Sequence, residues 1–260
     1  MNYYTTGHNK RGLILQARDL LLLSELARVS LADREQIKVL ARFNSTTRAN
    51  LRLLALVRAG FLYRRFSSAS ATARKAVYSL SQKGAELTAG RTGTRRWRKI
   101  PLEMFCEHEL RITDFYIALR QGVKNNPRIR VDTWRVCSAS VSQSILVVPD
   151  GYFQIREDAA ALDCFLEMDM GTEALGVWVS KVEQYLALAK SGEYGAHFPS
   201  KQFRVLVVAP SERRLQNLRA ATASVTTKIF WFATQKIINS EGVLSPIWSR
   251  PEGNARLPLL

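Results

Sequence analysis

The chain has little that could cross-link it or anchor it in a membrane. Only three cysteines occur in 260 residues, Cys106, Cys137 and Cys164, with no CxxC spacing among them. That excludes a disulfide framework and a cysteine zinc site, and leaves three reduced thiols as the expectation. The three histidines, His8, His108 and His197, make no HxH or HxxxH pair. No apolar run approaches the roughly 18 residues of a membrane span. The leucine run Leu20 to Leu23 is broken by Ser24 and Glu25. The opening MNYYTTGHNKRG lacks the apolar core of a signal peptide, so a cytoplasmic protein is expected. With 14 Gly, 8 Pro and 47% hydrophobic residues, the chain is neither disordered nor fibrous. Its length suits one large domain or two small ones.

Acidic residues are the other scarcity, and they are scarce in one place. Residues 1–100 hold 20 Lys and Arg against five Asp and Glu, a net charge of +15. Residues 101–260 hold 18 and 17, a net of +1. A basic head on a neutral body predicts a polyanion partner for the head. Membrane attachment would call for one basic amphipathic helix, and these cations are spread over several elements.

Arg18–Val29 carries apolar residues at helical spacing, and Asp33–Ala41 reads as a second short helix after a break at residues 30–33. Ser45 caps a third helix running to Arg58, with Ala49, Leu53, Leu56 and Val57 on its apolar face and Gly60 ending it. Residues 61–66 and 75–80 read as two strands joined by SSASATAR, and a further helix starts at Ser81. This order is that of a winged helix-turn-helix. The strings NSTTRANLRLLALVRAGFLYRR and VYSLSQKGAEL resemble bacterial winged-helix proteins. The resemblance implies double-stranded DNA as partner, with the start of the third helix in the major groove. Thr46, Thr47, Arg48, Asn50 and Arg52 would then face the groove. Arg64, Arg65, Arg74 and Lys75 would lie on the wing near phosphates. Arg48 suits guanine and Asn50 adenine.

Residues 91–101 form an expected basic linker within GRTGTRRWRK, where Trp97 would pack on either domain. It separates a head at 1–90 from a body at 102–260. The body opens with a long helix, 102–122. Strands are expected at 129–136, 144–155 and 161–170, then a helix at 176–189 and a strand at 203–209. A helix capped by Ser211 and a last strand at 228–238 complete a mixed α/β architecture.

The order α-β-β-β-α-β-α-β, with Pro149-Asp150 and Glu167-Met168-Asp169, resembles the PD-(D/E)XK nuclease-like fold. The resemblance implies a Mg²⁺ site at Asp150 and Glu167, in an endonuclease or nickase. The lysine expected two residues after the Glu is Asp169 here, a departure that puts catalysis in doubt. Lys181 lies four residues before Tyr185 on one helix face, and the resemblance, which in some members carries the lysine on this helix, implies it as the substitute. Asp150, Glu167, Asp169 and Lys181 are thus the candidate catalytic group, expected to converge. The same residues also fit a buried salt-bridge cluster in an inactive copy of the fold.

HELRITDFYIAL, VVPDGYF, FLEMDMGTE, KVEQY and FRVLVVAPSERRLQNLR follow the basic head in an order similar to the replication-relaxation family of plasmids and integrative elements. The resemblance spans roughly residues 15–220. It implies a DNA-binding accessory role at an origin or promoter, beside a relaxase or replication initiator. A Mg²⁺-dependent nuclease and a transcriptional repressor remain open alternatives, as does a homodimer.

Overall fold

Leu22, Leu23, Leu26 and Val29 recur at helical spacing and form the buried face of α1 (Ala17–Val29) in the computed structural model of the chain. Residues 13–67, 75–92, 103–198 and 202–260 are described. The chain divides into two units, Met1–Glu103 and Met104–Leu260. The expected linker residues 93–101, with Trp97, and the expected wing residue Arg74 lie outside the described residues.

In the first unit, α2 (Arg34–Leu40) and α3 (Thr46–Arg58) follow α1. Each starts on a side-chain cap. Asp33 accepts from the Gln36 amide at 2.9 Å, and Ser45 accepts from the Arg48 amide at 3.4 Å. The stretch read as a break contains a short strand, β1 (Ala32–Asp33). Asp33 is extended, as an N-cap must be, and that lets its backbone pair with a neighbouring strand. β2 (Leu62–Ser67) and β3 (Lys75–Leu80) form an antiparallel pair, and the sheet order is β1-β3-β2. α4 (Gln82–Thr92) closes the described part and extends two residues into the expected linker.

The VYSLSQKGAEL string has a physical cause. The Ser81 hydroxyl donates to the Gly60 carbonyl at 2.6 Å and accepts from the Gly84 amide at 3.1 Å. It thereby joins the end of α3 to the start of α4. A Cβ at Gly84 would lie 2.3 Å from the Phe61 carbonyl oxygen. Gly84→Ala is therefore expected to destabilise the chain by about 1–3 kcal/mol, the usual range for overpacking. Urea unfolding of the variant beside wild type measures this.

The second unit opens with α5 (Glu103–Lys124). Seven strands follow: β4 (Ile129–Val136), β5 (Gly151–Glu157), β6 (Ala160–Met168), β7 (Phe203–Ala209), β8 (Phe230–Thr234), β9 (Trp248–Ser249) and β10 (Arg256–Leu257). The sheet order is β10-β9-β8-β7-β6-β5-β4. β4, β5 and β6 are antiparallel, while β6, β7 and β8 run parallel. The parallel steps are crossed by α6 (Leu175–Ser191), α7 (Glu193–His197) and α8 (Glu212–Ala223). The core order α-β-β-β-α-β is the one expected from the sequence, and the structure adds the antiparallel-to-parallel change at β6.

Each sheet face has its own core. Phe165, Val205, Val207, Phe230 and Phe232 pack with Trp178, Val182, Tyr185 and Leu188 of α6 and Leu215 and Leu218 of α8. On the opposite face, Phe115 of α5 lies against Trp134 and Phe153. Two expected strands are shorter than their apolar patterns. Residues 144–150 are irregular because serines take the backbone groups that a ladder would need. Ser140 donates to the Ile145 carbonyl, Ser142 accepts from the Ile145 amide, and Pro149 has no amide hydrogen. The strand expected at 228–238 ends at Thr234, whose hydroxyl caps α9 (Gln235–Glu241) by accepting from Ile237.

Candidate functional site

The outward face of α3 and a cleft in the second unit hold most of the expected site residues. On α3, Ala49, Leu53 and Leu56 are buried, while Thr47, Arg48, Asn50 and Leu51 are exposed. Leu51 was not foreseen. At 64% exposure it is an apolar side chain among polar groups on the helix face that solvent reaches. Thr46 is half-buried and accepts from the Lys38 ammonium at 2.9 Å, which joins α2 to α3.

Arg52 does not belong to that face. Its Nε donates to Asp19 Oδ1 at 2.7 Å, and its outer nitrogen donates to Asp19 Oδ2 and to the Ile14 carbonyl. The Asp19 side chain is fully buried, and its hydrogen bond to Arg52 holds the guanidinium above its ordinary pKa. Arg52 stands three residues after buried Ala49 and four before buried Leu56, a spacing that marks the edge of the inner face. On the β2–β3 hairpin, Arg64 and Arg65 are exposed, and Arg64 stacks 5.1 Å from the Phe66 ring. Lys75 is 70% exposed and lies 3.4 Å from Asp33.

The cleft has a volume of about 590 Å³, and Asp150, Glu167, Asp169 and Lys181 all line it, with His108 of α5. Asp150 precedes β5. Its carboxylate accepts from the Met168 amide at 2.6 Å and lies 3.2 Å from His108 Nε2. His108 is 42 positions away in sequence, so no local spacing could have found it. Burial works against a charge on its ring, but Asp150 outweighs burial and holds the imidazole above the ordinary histidine value.

Glu167 sits near the end of β6, and both its oxygens are engaged. Tyr185 donates to Oε1 at 2.5 Å and Lys181 to Oε2 at 3.0 Å. The two partners are one helical turn apart on α6, as their spacing required. Burial, then the charge of Asp150, pushes the Glu167 carboxyl up to about 7, against the pull of Lys181 and Tyr185. Burial favours a neutral Lys181, yet Glu167, and after it Glu173 and Asp150, hold the ammonium above the usual lysine value. Asp169 has a different cation for its partner. It is held by Arg214 of α8, which donates from two nitrogens at 2.9 and 2.7 Å, and by the Gly171 amide. Arg214 was also not foreseen, because α8 begins 44 residues after the β6 end.

Mg²⁺ needs hard oxygen ligands left open to it. Here Glu167 is bound through both oxygens, one of them by the Lys181 ammonium, and Asp169 is forked by an arginine. Among the described residues no three His, Cys, Asp or Glu side chains are grouped to hold a metal ion. The residues present do not fit a Mg²⁺ site.

No helix among the described residues is long and apolar enough to cross a membrane. No curated protein matches the chain. Two solved structures are similar to 86% of it, both of the restriction endonuclease FokI. The first, of FokI, shares 14% identity with a TM-score of 0.28. The second, FokI bound to DNA, shares 12% with a TM-score of 0.29. The chain spans 44% of the length of either. A family model described as replication-relaxation matches residues 23–200, and the chain belongs to that family.

Proposed function

We propose that the protein is a DNA-binding accessory factor in the replication or mobilisation of a plasmid or integrative element. Residues 1–90 act as a winged helix on origin or promoter duplex DNA. Residues 91–101 are a basic linker, and residues 102–260 are a nuclease-like body that makes contacts rather than cuts. The observation that carries this is the outward face of α3. Thr47, Arg48, Asn50 and Leu51 are exposed there, in a region of net charge +15. Arg48 supplies a fork for guanine, Asn50 a bidentate pair for adenine, and Leu51 an apolar contact for a thymine methyl. The cytoplasm is its setting, with a relaxase, a replication initiator or a second copy of the chain as partner. For the body, the engagement of both Glu167 oxygens by Tyr185 and Lys181 favours an inactive site.

Footprinting on plasmid DNA, with and without Mg²⁺, tests the reading. Protection at the origin without cleavage is expected. Mg²⁺-dependent nicking lost in Asp150→Ala would replace this function with a nickase. Protection confined to the promoter of its own operon would replace it with a repressor. Arg48→Ala and Asn50→Ala should each cost about 1–3 kcal/mol on the preferred site and little on random duplex. Arg64→Ala and Arg65→Ala should weaken both alike, since phosphate contacts carry no sequence information. Binding titrations on the two DNAs distinguish these patterns, and an equal loss for all four variants would refute the groove assignment.

A further inference from the structure

The second unit, nearly neutral overall, gathers uncompensated positive charge at one place. Arg204 of β7 and Trp231 of β8 project from the sheet face opposite the α6–α8 core, because Val205, Val207, Phe230 and Phe232 fill that core. The Arg204 guanidinium stands 4.2 Å from the Trp231 ring centre, and Arg250, just after β9, stands 5.0 Å from the same ring.

Neither guanidinium makes an ion pair among the described residues. Each is held by a main-chain carbonyl, Arg204 by Leu259 and Arg250 by Thr227. Burial works against the charge of both, and the charge of Arg204 opposes that of Arg250 as well. The indole N–H of Trp231 is buried without an acceptor. Lys228 is exposed in the turn whose carbonyl Arg250 holds, and Ile229 in that turn is kept at φ +55°, a costly conformation for a β-branched residue. Two half-buried cations face one ring with no acid between them, an arrangement that an anion would stabilise.

The cluster is separate from the acidic cleft. Arg204 pairs with Cys164 on β6, three residues before Glu167, and Glu167 faces α6 on the other side of the sheet.

We infer that Arg204, Arg250 and Trp231 form a phosphate-binding site for nucleic acid, a second DNA contact carried by the body of the protein. Arginine forks match the oxygens of a phosphodiester, and the indole fixes their planes by stacking. This rests on the DNA-binding reading above but uses a different surface.

The test uses the full chain and two probes, inorganic phosphate and a random-sequence duplex. The variant is Arg204→Gln with Arg250→Gln, which removes both charges and keeps a shorter polar side chain at each position. Unfolding midpoints confirm that it folds. In wild type, phosphate should shift the Trp231 and arginine side-chain NMR signals, and the variant should lose that response. The slope of log affinity against log salt for the duplex should fall by about 2, roughly one per phosphate contact. The charge-restoring Arg204→Lys with Arg250→Lys should regain most of that slope. Phosphate binding with an unchanged duplex slope would overturn the nucleic-acid assignment in favour of a free phosphate. No phosphate response and no slope change would overturn the site, while wild-type duplex binding would leave the proposed function standing. A wild type that binds phosphate here but no duplex would instead sink the proposed function.

Discussion

Arg52→Ala should destabilise the first unit by about 3–5 kcal/mol, because it leaves a buried carboxylate without its cation. Asp19 is fully buried at the start of α1, where it also accepts from the Gln16 amide at 2.6 Å. Arg52 reaches it from α3 through two nitrogens, so the pair fixes the position of α3 against α1. The double variant Asp19→Ala with Arg52→Ala should lose less than Arg52→Ala alone, since no isolated charge remains. Arg52→Lys should fall between, because an ammonium cannot make the same fork. Urea unfolding supplies all these values. DNA affinity of Arg52→Ala, measured where the variant is still folded, should match wild type. An unchanged unfolding midpoint with weakened DNA binding would show that Arg52 touches DNA after all.

The same residue shows what the sequence carried and what it did not. Helix α3 was legible from its Ser45 cap, its apolar spacing and Gly60, and its bounds follow those signals to the residue. The strands β4 and β7 were equally plain, since β4 is rich in β-branched and aromatic residues and β7 is apolar at every position but Arg204. What failed were choices that depend on a distant partner. Arg52 reads as one more cation on a basic helix until Asp19, 33 residues earlier, is placed beside it. The ends of β5 and β8 were misjudged because serine and threonine hydroxyls compete for backbone groups, and hydrophobic pattern does not register that. The element order of the second unit was readable, and with it the meeting of Asp150, Glu167 and Lys181 in one cleft. The further partners of those residues were not. His108 and Arg214 come from α5 and α8, elements that only the folded sheet brings to the end of β6.

The cleft should reveal its compensating charge through pH. Glu167 has an ordinary value of 4.5 and is pushed up to about 7 in the folded chain, first by burial and then by Asp150. The folded state therefore binds this proton more tightly than the unfolded state. Its contribution to stability is full below about pH 4.5 and is lost as pH rises through about 7. A shift of that size corresponds to about 3 kcal/mol. His108 acts in the same direction at higher pH, since its folded value is also raised. Glu167→Gln, which keeps a hydrogen-bonding group but never ionises, should match wild type near pH 5 and exceed it in stability near pH 8 by up to about 3 kcal/mol. Lys181→Ala should do the reverse. Near pH 5 the protonated Glu167 has little need of an ammonium, so the loss is small. Near pH 8 the variant leaves a buried carboxylate facing Asp150, and the cost should reach about 3 kcal/mol. Millimolar Mg²⁺ should leave the wild-type melting temperature unchanged, because an ion that bound only the folded state would raise it. A Mg²⁺-dependent rise abolished by Asp150→Ala would mean that a metal, not Lys181, balances these carboxylates. A pH profile for Glu167→Gln parallel to wild type would mean that Glu167 is not the titrating group.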